Sequence, residues 1–242
     1  MGTMIENLLK RASVRNFKKE KLDDETISKL KQVVNASPTW KNYQDFSAIF
    51  ITNQKTKDIL SECNLKQEHV KEAPLIVLFN ADFNFIDEII KKQDLKNVTV
   101  DKLHNYLISF TDAIISATQL VDAAVSLGLG TCYLGLVRPN ADKVIELLNI
   151  KGKCIPTIAI AIGKIDKPAV QIPKHNKVYD EKYDINQVRP ELDKYDEIMK
   201  DYYQKTYNID RNYSKVIAKM LVHENADNML ELIEKHYFNK KS

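Results

Sequence analysis

The chain of 242 residues has only three cysteines, Cys63, Cys132 and Cys154. Their number is odd and they lie far apart, so they form neither a CxxC redox pair nor a zinc-ligand spacing. They read as buried, inert thiols of a cytoplasmic protein. The five histidines, His69, His104, His175, His223 and His236, are equally scattered, and no protein-held metal is expected. An excess of one charge is lacking too. The net charge is +3, and the 29% of charged residues alternate in sign along the chain. That pattern argues against a nucleic-acid partner. Apolar runs such as IPTIAIAIG stop short of the roughly 20 residues that cross a membrane, so no membrane partner is expected. The opening MGTMIENLLK shows no secretory leader, and Glu6 stands where myristoylation needs Ser or Thr. Residues 1–3 read as an addition before a start at Met4. No P-loop, serine-hydrolase elbow, paired-carboxylate spacing, repeat or low-complexity tract is visible.

What is present is enough for one sizeable core, since 44% of the residues are hydrophobic. Apolar positions Ile27, Leu30, Val33 and Val34 predict an amphipathic helix over 24–36, capped by Asp23 or Asp24. SAIFIT (47–52), TCYLG (131–135) and the continuous apolar runs LIVLFN (75–80) and PTIAIAIG (156–163) predict strands, the last two buried on both faces. Helices are expected over 54–62, 65–72, 83–93 and 140–149. The longest periodic segment, 101–127, carries Ala113, Ser116, Ala117, Ala123 and Ala124, the small residues of a central helix packed closely on several sides. After a polar, turn-prone stretch at 164–188, helices resume at 190–205 and 212–238. The chain reads as one domain, a core of 1–188 followed by a helical extension of 189–242.

SLGLGTCYLG places Gly128, Gly130 and Gly135 close together. A Rossmann loop needs G-x-G-x-x-G between a strand and a helix, but here Tyr133 occupies the third glycine's place and the context is reversed. A left-handed helix cap at Gly128 or Gly130 fits better. RASVRNF, residues 11–17, sets two fixed cations four residues apart around a hydroxyl. Taken alone it suits either a phosphate site or a solvated helix end.

Three further stretches bear on that choice: SPTWKNYQDFSAIFITN (37–53), NLKQEHVKEAPLIVLFNADF (64–83), and YLGLVRPN (133–140) followed by IAIAIGKIDKPAVQIPKHN (158–176). In this order and spacing, and together with RASVRNF, they resemble the FMN-dependent nitroreductase family. The closest likeness is to its NADPH-flavin oxidoreductase and oxygen-insensitive nitroreductase branch. The resemblance runs from Ile5 to about Phe238. It implies an α+β fold, a mixed sheet flanked by helices with a helical C-terminal arm, in an intertwined homodimer with two FMN sites at its interface. The arm is expected to lie on the partner subunit.

The resemblance also assigns roles. Arg11, Ser13 and Arg15 stand where the family binds the FMN phosphate and ribityl chain, with Ala12 in place of the branch's usual Arg. A phosphate monoester suits the planar donor fork of Arg. Thr39, Asn42 and Gln44 are placed beside the flavin ring or ribityl chain, and Gln67 at the flavin or the nucleotide. Tyr133, Leu134 and Gly135 match the stretch whose backbone faces the flavin, with Leu136 where the family has a second glycine. Lys174 falls near a basic residue that reaches the flavin. Arg211 lies where the branch selects NADPH, although Asp210 replaces a neighbouring arginine. The implied chemistry is ping-pong hydride transfer from NADPH or NADH, through FMN N5, to quinones, nitroaromatics or free flavin. The flavin would carry the chemistry and no catalytic side chain is required. A reductase for a narrow disulfide, azo or metal substrate, and a flavin-binding regulatory protein with little turnover, are the alternatives.

Overall fold

The computed structural model describes residues 3–63, 66–96, 98, 103–223 and 229–238. In chain order the elements are α1 (Met4–Lys10), α2 (Asp24–Asn35), β1 (Phe46–Ile51), α3 (Gln54–Cys63), α4 (Glu68–Glu72), β2 (Leu75–Asp82), α5 (Asn84–Lys92) and α6 (Leu103–Ser126). Then come β3 (Gly130–Leu134), α7 (Ala141–Leu148), β4 (Cys154–Gly163), α8 (Val188–Tyr207), α9 (Tyr213–His223) and α10 (Met229–His236). Local chemistry sets several boundaries. Asp23 caps α2 by accepting the Thr26 N–H at 2.7 Å. Gly128, with φ of 74°, ends α6 in the left-handed region that glycine adopts freely.

The chain divides into two compact units, Met1–Ala169 with Asn228–Ser242, and Val170–Asp227. The first holds the sheet, in the order β1-β2-β4-β3. Its strands pair antiparallel throughout. The expected mixed sheet is therefore almost wholly antiparallel. Among the described residues its parallel element is the isolated bridge between Ser13 and Thr131.

The central strands β2 and β4 are buried on both faces, which is why they read as unbroken apolar runs. One face packs under α6, where Ala113, Ala117, Leu120 and Ala124 meet Leu75, Val77, Phe79 and Ile160. Alanines let the helix approach the sheet closely. By length and composition α6 could cross a membrane, but nine of its residues are buried against the protein, as in a core helix. The other face packs Val14, Phe17, Leu60, Val70, Ile76, Leu78, Cys132 and Val144. A third cluster closes one end of the sheet, with Ile233 and Tyr237 against Ala81, Phe83, Tyr106 and Ile155. Residues 229–238 thus return to their own sheet, and for them the expectation of lying on a partner subunit does not hold. Their buried apolar side chains already have cover.

The second unit is built on α8 and α9. Asp196 accepts the Ser214 N–H at 2.7 Å, and the Tyr195 and Tyr213 rings meet edge to face at 4.9 Å. These two contacts join the helices.

Candidate functional site

The helix α1 stops at Arg11, whose backbone turns extended. The chain then runs beside β3. The Val14 N–H donates to the Thr131 carbonyl at 2.9 Å, and Val14 is buried in the lower core. In an extended segment side chains alternate, so Arg11, Ser13 and Arg15 share the face opposite Val14. The charges of Arg15 and Arg11 both bear on the Cys132 thiol, and Ser13 pairs with Thr131, the residue before it. Gly130 permits this approach, because a Cβ there would come within 2.9 Å of the Val14 and Ile165 side chains.

The Arg11 guanidinium lies 5.6 Å from the Tyr133 ring centroid. Its Nη1 is buried and has no hydrogen-bond partner. A buried, unsatisfied donor on a cation is costly unless an anion meets it. Among the described residues neither Arg11 nor Arg15 forms an ion pair with a carboxylate. The nearby histidine does not neutralise them either. His69 Nε2 is 3.9 Å from Cys132 Sγ, and burial, then the Arg15 charge, holds its imidazole below the usual value. Burial pushes the Cys132 thiol up, so it stays neutral beside the arginines. The result is an unneutralised pair of arginines at the β3 edge, with a donor ready for an anion. Gln67, two residues before His69, stands at the N-cap position of α4 without a side-chain capping bond. Leu134 is buried, and Gly135 opens the short turn that follows β3. A cleft of about 290 Å³ borders Arg11, Val14, Gly130 and Thr131.

Thr39, Asn42 and Gln44 lie elsewhere. They line a cleft of about 730 Å³ with Phe46, Ala48 and Phe50 of β1 and with the end of α2. Their turn is irregular: Lys41, Asn42 and Gln44 all have positive φ, at 47°, 58° and 54°. Thr39 Oγ1 accepts the Gln44 N–H at 3.1 Å and closes the turn on itself. The strands β1 and β3 are the two edges of the sheet. Three strand spacings put those edges roughly 14 Å apart. The predicted flavin residues are therefore split into a phosphate-suited group at one edge and an amide-rich group at the other. Lys174 and Arg211 belong to the second unit and are exposed. Arg211 lines a cleft of about 770 Å³ that also takes in Lys200, Lys215 and Lys219.

Sequence reading missed four residues near these groups. His69 and Cys132 sit beneath the arginines, and Asp45 and Asp112 lie behind the amide turn, all of them buried. Each pair is assembled from distant segments, so no local spacing marked it.

This antiparallel sheet between helix layers has the fold of solved nitroreductases. The structure of B. megaterium NfrA2 matches with a TM-score of 0.92 at 27% identity, covering 100% of both chains. That of NfrA1 nitroreductase from B. subtilis matches at 0.92 and 25%, covering 99% of this chain and 100% of its own. Residues 8–164 match the nitroreductase family and residues 171–241 its C-terminal domain, and the chain belongs to that family. Among its relatives, the FMN reductase (NAD(P)H) of Bacillus subtilis (strain 168) is 30% identical over 98% of each chain.

Proposed function

We propose that this protein is an FMN-dependent NAD(P)H oxidoreductase acting by alternate hydride transfer on small acceptors such as quinones, nitroaromatics and free flavin. The observation that carries the reading is the buried, unpartnered Nη1 of Arg11 beside Arg15 and Ser13. These groups fit the terminal phosphate of FMN: two cations and a hydroxyl meet a dianion that accepts several hydrogen bonds. Bound FMN supplies the acceptor and donor of hydride. The chain's own residues bind and orient. Arg11, Ser13 and Arg15 hold the phosphate, and Gln67, Tyr133, Leu134 and Gly135 border the same edge. Thr39, Asn42 and Gln44 offer a hydroxyl and two amides to the ring or ribityl chain. Their place at the far edge of the sheet supports a homodimer in which a second copy completes each site. Exposed Ile5 and Leu9 of α1, and Leu103, Leu107 and Ile115 of α6, supply an apolar face for that contact. In the second unit Arg211, with Lys200, Lys215 and Lys219, suits the additional phosphate of NADPH. A cytoplasmic setting accords with three free, buried thiols.

The purified protein is expected to be yellow and to release FMN, not FAD, on denaturation. Steady-state oxidation of NADPH and NADH with an added quinone tests turnover and donor preference. Release of FAD, or no bound flavin after incubation with FMN, overturns the reading.

A further inference from the structure

The turn 39–45 has a strained backbone at three non-glycine residues. Such conformations persist only where surrounding contacts hold them. One tie to the helix layer is the Trp40 N–H, which donates to Asp112 Oδ2 at 2.9 Å. The other is Asp45, where the turn becomes β1. Its carbonyl accepts the Asp82 N–H at 3.0 Å, and its Oδ2 accepts from Ser109 Oγ at 2.7 Å. Ser109 Oγ lies 2.9 Å from Tyr237 OH, and because the single Ser109 proton goes to Asp45, Tyr237 donates.

Asp45 is fully buried and Asp112 nearly so. Asp112 follows Ser109 by three residues on α6 and shares its face, so its carboxyl lies on the side where Ser109 meets Asp45, whose Oδ1 has no hydrogen-bond partner. Two adjacent carboxylates out of water do not both ionise. A proton on Asp45 Oδ1, donated to Asp112, removes the repulsion and satisfies the orphaned atom together. Burial first, then Asp112, pushes Asp45 up to about 7, with the Ser109 hydrogen bond opposing. The other groups around the pair are Tyr106 of α6, Tyr237 after α10, Asp82 of β2, and Asp87 of α5 with its partner Lys153. Among the described residues no Lys, Arg or His forms an ion pair with Asp45 or Asp112.

We propose that Asp45 and Asp112, joined by one proton, are positioning residues that hold the turn 39–45 in its strained shape, so that the turn's grip on the flavin depends on that proton. The link to flavin rests on the reading above, that Thr39, Asn42 and Gln44 contact FMN. The sign follows from where the proton is held. With the turn in place Asp45 keeps it up to about pH 7. With the turn released and Asp45 in water, it leaves near 3.9, the ordinary value. The held form binds more protons between these limits. Rising pH therefore favours release by at most tenfold per unit up to about 7, and no further above it.

Trp40 is the chain's one tryptophan and sits in the turn. Full-length wild type, Asp45→Asn and Asp112→Asn are compared from about pH 5 to about pH 8, by Trp40 emission without flavin and by titration with FMN. In wild type the emission is expected to change as pH rises toward 7. In Asp45→Asn, whose amide donates to Asp112 without titrating, it stays flat; in Asp112→Asn the change moves to lower pH, because burial alone still raises Asp45. Across the same range the apparent Kd for FMN rises at least about fivefold more in wild type than in Asp45→Asn. Taking that ratio cancels the phosphate's own ionisation near pH 6. Wild-type pH dependence of Trp40 emission in both variants overturns the proposal. A Trp40 titration lost in Asp45→Asn, with an FMN affinity ratio that never changes, overturns the coupling to flavin but not the holding of the turn. Absence of FMN binding at every pH sinks the flavin reading alone.

Discussion

Arg11 has one guanidinium nitrogen out of water with nothing to meet it. An enclosed charge-assisted hydrogen bond is worth about 1.5–3 kcal/mol. Arg11→Ala is therefore expected to weaken FMN binding roughly 10- to 150-fold, read by flavin fluorescence on titration. Arg11→Lys keeps the charge but loses the planar fork, and should recover only part of that loss. Unchanged affinity in Arg11→Ala would return residues 11–17 to the role of a solvated helix end. The spacing of this group is local, yet alone it suited a solvated helix end equally well, and the family resemblance singled it out; the structure adds that alternation along one extended segment puts residues 11, 13 and 15 on one face. His69 and Cys132 beneath it come from α4 and β3, and only pairing in three dimensions shows them. Asp45 and Asp112 were hidden for the same reason. A search for paired carboxylates along the chain fails when one lies at a strand's start and the other in the middle of a helix.

At the scale of elements, helices and strands were readable wherever burial imposes a period. β2 and β4 announced themselves as apolar runs because helices cover both their faces, and α6 showed its alanines because it must lie close to the sheet. Strand direction was less legible, since nothing in a strand's composition states whether its neighbour runs parallel. Two glycines fix how the N-terminal segment seats on the sheet. A Cβ at Gly163 would stand 2.5 Å from Pro74 and 2.9 Å from Phe17, and one at Gly130 would press on Val14. Overpacking of this kind typically costs about 1–3 kcal/mol. Gly163→Ala is expected to lower stability in denaturant by that amount. Gly130→Ala should also weaken FMN binding, because Val14 sits between Ser13 and Arg15. Full affinity in Gly130→Ala would separate the strand from the phosphate group. The end of α10 is tied to α7 by Lys235 and His236 on Asp142, at 2.7 and 2.6 Å. Hydrogen bonds from Lys235 and His236 hold the Asp142 carboxyl below its usual value, so this tie is present above the ordinary Asp range and is lost as pH falls through the depressed value.

Across the whole molecule, the tail reads as a run of helices, but its split destination does not. Residues 229–238 return to the first unit because Ile233 and Tyr237 fill the end of the sheet, while α8 and α9 form a unit of their own. The exposed apolar faces of α1 and α6 belong to the proposed dimer. Ile5 is 70% exposed in the single chain. An acid in the first turn of a helix is favourable in itself, so Ile5→Asp should leave the subunit folded. It is expected to shift sedimentation toward monomer and to weaken FMN binding in parallel. A monomer that keeps its flavin would contradict the shared site.

The placing of the two residue groups on opposite edges of one sheet has a genetic consequence. If each site draws its arginines from one copy and its turn from the other, two defective chains can repair one another. A chain altered at Arg11 and a chain altered at Asn42 would each form inactive homodimers. Mixed and allowed to exchange, they would form heterodimers in which one site collects both alterations and the other collects none. Flavin and turnover would reappear in a mixture of two inactive preparations. No such complementation arises if both groups serve a site within the same chain.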